Sequence, residues 1–456
     1  MAGIYKAYDI RGIYPEDIHE EVAGQIGRAY RHVLDDAGYG PDQEGGDPVV
    51  VSRDMRSHST PLAERLIEGL RAAGIDVIDI GLATTPMNYF AIGHLGAAGG
   101  IQVTASHNPA RYNGLKLSLR EARPVSGDHG IALLERAVAA GDLPTAQQPG
   151  SLRTEDVFEA YTAHVLSYLE EVEEEAKPLK VVVDAANGMG SIYQPILERL
   201  GIELIPLYFE LDGTFPNHEA NPLKLENLQD LSAAIREHGA DLGVSFDGDA
   251  DRSAFVAETG DPVGSDLMTA LIGGELLRQH PGRHVLYDLR SSRAVAEYIE
   301  ESGGIPRRER VGHSFMKATL RELDGIFGGE LAGHYYFRDN YYADCAVLAV
   351  IEVLNLLRRS GKTLSQLVEP LNRYHKTPEI NFQVEDKAGK MKALEERYGD
   401  AEIDHLDGVT IAYPSWWCNV RPSNTEPYLR LVLEAETEEE MVQRRDELIS
   451  HLGTPV

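Results

Sequence analysis

The sequence predicts an α/β protein: three related mixed α/β domains followed by a smaller C-terminal α+β domain. Three observations lead there. A chain of 456 residues is too long for one ordinary hydrophobic core, so three or four domains are expected. β-Branched runs that end in a polar, turn-rich loop and lead into a helix-like stretch recur through the first 370 residues or so. The remainder has strands and helices without a βαβ repeat.

The runs are PVVVSRDMRSHS from Pro48, KVVVDAANGMGS from Lys180 and HVLYDLRSSR from His284. Helical stretches follow, such as PLAERLIEGLRAAG from Pro61 and YQPILERLG from Tyr193, the latter closed by a glycine. Downstream of each run a second strand carries a loop rich in chemistry. These are GGIQVTASHNP ending at Pro109, LGVSFDGDADR ending at Arg252 and GIFGGELAGH ending at His334. Loops at the carboxyl ends of such strands are where ligands bind. The apolar run from Cys345 to Leu357 is broken by Glu352 and Asn355, is too short to span a bilayer, and reads as a buried helix. The last part reads as NFQVED, a charged helix MKALEERYGD, two strands flanking RPSNTEP, and a final helix EEEMVQRRDELISHLG. Turn-rich stretches near Gly150, after Val256 and near Pro370 set the expected domains at 1–150, 151–256, 257–370 and 371–456.

Hydrophobic content of 43% and charged content of 25% are ordinary for a soluble globular protein. The net charge of −30 argues against nucleic acid or an anionic membrane surface as partner. Two cysteines make neither a disulfide framework nor a zinc cluster, and the N-terminus lacks the apolar stretch of a signal peptide, so a cytoplasmic location is expected. No obligate protein partner is evident.

The most specific stretch is Asp247-Gly248-Asp249-Ala250-Asp251-Arg252. Carboxylates at every second residue repel one another, and a divalent cation removes the conflict. An all-oxygen set points to Mg²⁺ or Ca²⁺. A calcium loop fits Asp247, Asp249, Asp251 and Glu258, but its sixth position is Arg252 instead of glycine and its flanks read as strands. A Mg²⁺ loop at a strand end, with Arg252 free to meet an anion, fits better.

In Thr104-Ala105-Ser106-His107-Asn108-Pro109, Pro109 ends the strand and presents Ser106 beside His107. This is either an ST turn or a nucleophilic or phosphorylated serine; the G-x-S-x-G hydrolase elbow is absent. Lys116 follows closely enough to hold a phosphate on Ser106. In Gly329-Glu330-Leu331-Ala332-Gly333-His334, glycines flank a carboxylate and an imidazole, a set suited to hydroxyl recognition and proton transfer. Arg421-Pro422-Ser423-Asn424-Thr425-Glu426-Pro427 reads as a polar nest for phosphate. Tyr5 to Gly12, YKAYDIRG, says little alone.

Taken in order, AYDIRG, TASHNP, DGDADR, GELAGH and RPSNTEP resemble the α-D-phosphohexomutase superfamily, and most closely its phosphomannomutase/phosphoglucomutase branch. The resemblance covers essentially the whole chain. It implies four domains around a central cleft: a phosphoserine domain, a metal-binding domain, a sugar-recognition domain and a phosphate-binding C-terminal domain. It implies interconversion of hexose 1-phosphate and hexose 6-phosphate, of mannose and/or glucose, through a phosphoserine and a 1,6-bisphosphate intermediate that also serves as activator. Ser106 is then the phosphoserine, and Asp247, Asp249 and Asp251 hold Mg²⁺ with an oxygen from Ser106. His107, Lys116, Arg11, Arg252 and His334 belong to the catalytic neighbourhood. Tyr8, Arg290, Gly312, His313 and Glu330 contact substrate, and Arg421, Ser423, Asn424 and Thr425 grip the phosphate that is not reacting. Ala332 stands where many relatives carry serine, and Arg290 where they carry Lys or Arg. The alternatives are a phosphoglucosamine-type mutase, a Mg²⁺-dependent phosphatase, or a non-catalytic phosphosugar-binding protein on the same fold.

Overall fold

Parallel strands followed by one antiparallel return organise each of the first three domains. The computed structural model describes residues 3–44, 46–127, 130–171, 177–423 and 428–456. In the first sheet, Gly99–Val103, Val49–Arg53, Val77–Leu82 and Leu152–Thr154 run parallel; Tyr112–Leu119 returns antiparallel on Gly99–Val103, and Ile10–Ile13 pairs antiparallel with it in turn. In the second, Ser253–Ala257 returns on Leu242–Phe246, which is parallel to Leu179–Asp184 and through it to Ile202–Leu207. In the third, Tyr335–Phe337 returns on Phe327–Gly329, which is parallel to His284–Asp288. In each case the loop between the last parallel strand and its return is the one the sequence singled out: 104–111, 247–252 and 330–334.

The central strands carry buried apolar runs, such as Val49 to Val51, Val181 to Val183 and Leu242–Phe246, as expected where helices cover both faces. In Val49–Arg53, Val49 and Val51 enter the core beneath the helices Glu20–Asp36 and Ser59–Ala72, while Val50 enters the core on the opposite face. That second core is continuous. It runs from Phe90 through Tyr161 and Tyr193 to Phe327 and Leu348, so the first three domains share one apolar interior. The helix Ala346–Ser360 is buried along most of its length, as the run from Cys345 to Leu357 suggested. The fourth domain has a separate core on an antiparallel sheet, covered by the helices Lys387–Arg397 and Glu438–Leu452. Arg293 ties it to the third: its guanidinium donates to the carbonyls of Pro414 at 2.7 Å and Tyr413 at 2.6 Å.

Two expected boundaries fall inside sheets. Leu152–Thr154 pairs with Val77–Leu82, which carries the first sheet past Gly150, and Pro262–Val263 pairs with Ser253–Ala257, which carries the second past Val256. Strands this short have no periodicity to read, and the turn residues beside them look like linkers. The helix expected after Tyr193 is also cut down to Gln194–Leu197, preceded by a 3₁₀ turn over Met189–Tyr193.

Candidate active site

The TASHNP loop is tied down by a side chain that lies outside all five motifs. Arg56 is buried, and its guanidinium donates to the carbonyls of Ser106 (2.9 Å), Asn108 (2.7 Å), Pro109 (2.9 Å) and Tyr112 (3.1 Å), and through Nε to Asp54 (3.2 Å). All five of its N–H groups are thereby used. Ser106 itself adopts φ +50°, a left-handed conformation that a serine takes only under constraint. The turn delivers its Oγ to Asp247, to which it donates at 2.8 Å, with His107 Nδ1 at 3.2 Å.

The second domain's loop meets it at backbone distance. A Cβ on Gly248 would lie 2.3 Å from the Ser106 carbonyl oxygen, so only glycine fits there. Asp247, Asp249 and Asp251 are all buried, and their ligand atoms lie within 4.8 Å of one another. Asp249 Oδ2 accepts from Thr85 Oγ1 at 2.6 Å and from Lys116 Nζ at 2.7 Å; Lys116 also pairs with Asp251. Lys116 therefore sits on the Asp triplet. Burial together with Asp249 and Asp251 pushes the Asp247 carboxyl well above the usual range, against Arg252 and Lys116. Burial works to raise Asp249 as well, but Lys116 and Thr85 outweigh it and hold Asp249 below the usual range. Burial would lower Lys116, yet Asp249, Asp251 and Asp247 keep it above its ordinary value.

Oδ1 of Asp249 and Oδ1 of Asp251 are buried without a hydrogen-bond partner. Orphaned carboxylate oxygens are costly unless a cation satisfies them. The donor set is all oxygen, so these residues fit a hard divalent ion such as Mg²⁺. Glu258, the remaining ligand of the calcium-loop reading, is turned away onto Ser365, and strands flank the loop on both sides.

Positive charge also gathers around the Ser106 loop. Arg11 donates from Nη1 to Asn108 Oδ1 at 2.7 Å and pairs with Asp9, while Arg252 lies 3.9 Å from Asp247 Oδ2. The Nε of Arg11 and the Nε of Arg252 are buried without a hydrogen-bond partner. Burial pushes the His107 imidazole well below its ordinary value, and Arg252, Arg11 and Lys116 push it further.

The third domain's loop joins through an antiparallel bridge between Arg252 and His334. His334 Nδ1 lies 2.8 Å from Asp344 Oδ2 and 3.8 Å from Asp251 Oδ1. Asp344 is in turn paired at 2.7 Å with the buried Lys317, whose Nζ lies 3.7 Å from the centre of the Tyr89 ring in the first domain. Glu330 is buried; Oε1 accepts from Gly312 N at 2.9 Å and Oε2 from the Tyr336 hydroxyl. Gly312 has φ +135°, and a Cβ there would meet the Tyr8 hydroxyl at 2.7 Å, which brings the N-terminal motif against the helix His313–Glu322. The Tyr8 ring also packs edge-on against His313 at 5.5 Å.

Arg290 and Arg421 meet where the third and fourth domains face one another, both within reach of Glu379. Ser423 continues the chain just beyond the strand Trp416–Pro422. Asn424 and Thr425, and with them most of the expected phosphate nest, lie outside the described residues. The other four motif loops come together, from three domains. Sequence reasoning passed over Arg56, Thr85, Lys317, Asp344 and Glu379. The one available signal was charge placed directly after an apolar strand, as in Ser52-Arg53-Asp54-Met55-Arg56.

Family models match the chain in order. They are phosphoglucomutase/phosphomannomutase alpha/beta/alpha domains I (residues 3–144), II (159–260) and III (264–374), and the C-terminal domain (379–451). A protein of Xanthomonas campestris named for phosphohexose mutases is 38% identical over 98% of both chains. A phosphomannomutase/phosphoglucomutase of Pseudomonas syringae is 36% identical over 96% of this chain and 92% of its own. The crystal structure of a phosphoglucomutase/phosphomannomutase family protein from Burkholderia thailandensis superposes with a TM-score of 0.90 at 34% identity, covering 99% of this chain and 97% of that one. With its loops assembled in this way and its full length matched, the chain belongs to the phosphoglucomutase/phosphomannomutase family.

Proposed function

We propose that this enzyme is a phosphohexomutase that interconverts hexose 1-phosphate and hexose 6-phosphate, with mannose and/or glucose as the sugar, through a phosphoserine at Ser106 and a hexose 1,6-bisphosphate. One observation carries the reading. Around the Ser106 loop lie buried carboxylate oxygens that accept no hydrogen bond, on Asp249 and Asp251, and buried guanidinium nitrogens that donate none, on Arg11 and Arg252. The first set suits a divalent cation and the second suits phosphoryl oxygens.

Phosphoryl transfer needs positioning and charge neutralisation more than covalent ingenuity. Mg²⁺ held by Asp247, Asp249 and Asp251, with an oxygen from Ser106, would supply part of that neutralisation. Arg11, Arg252 and Lys116 supply the rest from the protein. The bond from phosphorus to Ser106 Oγ breaks as one forms to the sugar hydroxyl oxygen, and His334, oriented by Asp344, takes the hydroxyl proton. The bisphosphate then turns end for end and returns its other phosphate to Ser106. Arg421 and Arg290, with Ser423, Asn424 and Thr425, hold the phosphate that is not reacting, and Glu330, His313, Gly312 and Tyr8 form the sugar's surroundings. The four parts then act as phosphoserine, metal-binding, sugar-recognition and phosphate-binding domains. A cytoplasmic location belongs to the same proposal; among the described residues no helix is long and apolar enough to cross a membrane.

The test is phosphate on the purified protein, located on Ser106 by mass spectrometry and discharged by mannose 1-phosphate or glucose 1-phosphate in the presence of Mg²⁺. Release of inorganic phosphate without change in isomer ratio would establish a phosphatase instead.

A further inference from the structure

Arg421 and Arg430 stand directly opposite one another on neighbouring strands of the fourth sheet. Like charges in that position are destabilising. Arg290 of the third domain adds a third guanidinium, held by Asp288 through Nε at 3.2 Å and Nη2 at 2.7 Å, with Nη1 left toward the cluster. Glu379 lies among all three. Its Oε2 accepts from Arg421 Nη2 at 2.9 Å and lies 3.5 Å from Arg290 Nη1, and its Oε1 lies 3.1 Å from Arg430 Nη1.

The carboxylate is held in place by the chain before it. Thr377 donates its N–H to the Leu433 carbonyl at 2.8 Å and accepts the Leu433 N–H on Oγ1 at 3.1 Å, and Pro378 stiffens the step to Glu379. Burial would raise the Glu379 carboxyl, but Arg290, Arg421 and Arg430 hold it below the usual range, so it stays ionised. Burial and Arg290 pull Arg421 below its ordinary value while Glu379 and Asp407 oppose them. The Glu379 side chain is 21% exposed, so a dissolved anion can reach this group of charges.

We propose that Glu379 is a resident counter-anion, a positioning residue that holds the three guanidinium groups together in the free enzyme and competes with the substrate's phosphate for them. The proposal rests on the phosphate role given above to Arg421 and Arg290. A carboxylate and a phosphate present similar paired acceptors to a guanidinium fork, so one can stand in for the other. The exchange has a purpose in the proposed reaction. The bisphosphate must leave this site between half-reactions to present its other end, and cations without a competing anion would hold it too firmly.

The experiment uses the full-length enzyme, with inorganic phosphate as the calorimetric probe and glucose 1-phosphate for steady-state kinetics. Glu379→Gln removes one negative charge about 3 Å from the arginines, and phosphate should bind about tenfold more tightly. KM and kcat should fall together, because release becomes slower. Glu379→Asp withdraws the carboxylate by one methylene and should shift both in the same direction by less; it decides the question if the Gln variant does not fold. Unchanged or weaker phosphate binding in a folded Glu379 variant, beside weakened binding in Arg421→Ala, overturns the counter-anion role and leaves the phosphate site standing. Unchanged phosphate binding in Arg421→Ala overturns the site itself, and this inference with it.

Discussion

Beside Ser106 three carboxylates crowd together in a sealed interior; around Glu379 three guanidinium groups crowd together, partly open to water. Asp247, Asp249 and Asp251 are each no more than 1% exposed, whereas Glu379 and Arg430 each keep 21% of their side chains accessible. Burial makes the first imbalance severe, because little solvent is present to screen it. Lys116 relieves part of it, and a resident divalent ion would complete the balance. The second imbalance is milder and carries its own counter-charge. The difference separates two tasks. The sealed end suits a permanent charge partner and the reacting phosphoryl group, and the open end suits a phosphate that comes and goes.

Changes at the sealed end should do most damage. Ser106→Ala removes the only carrier proposed for the phosphoryl group between half-reactions, and mutase turnover should fall by roughly 10³-fold or more, measured with sugar bisphosphate present. Activity near that of the parent would end the phosphoserine assignment. Asp249→Asn removes an anionic ligand and one of the two partners of Lys116. Metal affinity, followed by Mg²⁺ titration of activity, should weaken by roughly a hundredfold with the fold intact. Full activity of the parent enzyme after exhaustive chelation would contradict the metal site altogether.

At the open end the effect should be smaller and of another kind. Arg421→Ala loses a charge-assisted hydrogen bond worth about 1.5–3 kcal/mol, so kcat/KM should fall roughly ten- to a hundredfold, chiefly through KM. Phosphate on Ser106 should be unaffected in the same preparation, because that serine lies in the first domain. Equal losses in binding and in Ser106 phosphorylation would mean that the two ends do not act separately.

The smallest effect concerns a buried carboxylate outside both ends. Burial pushes Glu352, in the helix Ala346–Ser360, from 4.5 up to about 7, with Glu170 adding to the rise and Asn355 and Arg278 opposing it. Its folded form favours the proton, so stability falls as pH rises from about 4.5 to about 7, and the loss is complete above that. Glu352→Gln should therefore stabilise the protein by roughly 1–3 kcal/mol at pH 8 and by almost nothing at pH 4, read from denaturant unfolding. An equal gain at both pH values would show that packing, not charge, sets the effect. Glu352 shows what burial does to a carboxylate without a close cation, which is the problem Lys116 addresses at the Asp triplet and a metal there would address further.

The sequence made much of the sealed end readable, because its residues sit in loops that interrupt regular strands. Ser106 before Asn108-Pro109 and three aspartates at alternate positions depart from the patterns around them. The strand pattern was equally plain where it was long enough, as in Val49–Arg53 and Leu242–Phe246. Arg56 was not readable: a charged residue just after a strand looks like a solvated turn, and only the fold shows four carbonyls converging on it. Glu379 was hidden for the same reason, since its partners Arg290, Arg421 and Arg430 are distant in sequence and come from two domains. Lys317 and Asp344 look like ordinary helix and turn residues until the third sheet folds them beneath His334. Patterns along a chain report its own periodicity, and ion pairs that cross domains leave no such trace.

The hold of Arg56 on the carbonyls of Ser106, Asn108, Pro109 and Tyr112 also bears on how this loop breathes. A segment tied at four carbonyls through one buried guanidinium loosens piecemeal only by stranding N–H donors, which favours opening of the whole segment together. In hydrogen–deuterium exchange, protected amides between Ser106 and Tyr112 should then open as one unit, with a single free energy close to that of the surrounding sheet. The serine would be kept still while the sugar does the moving.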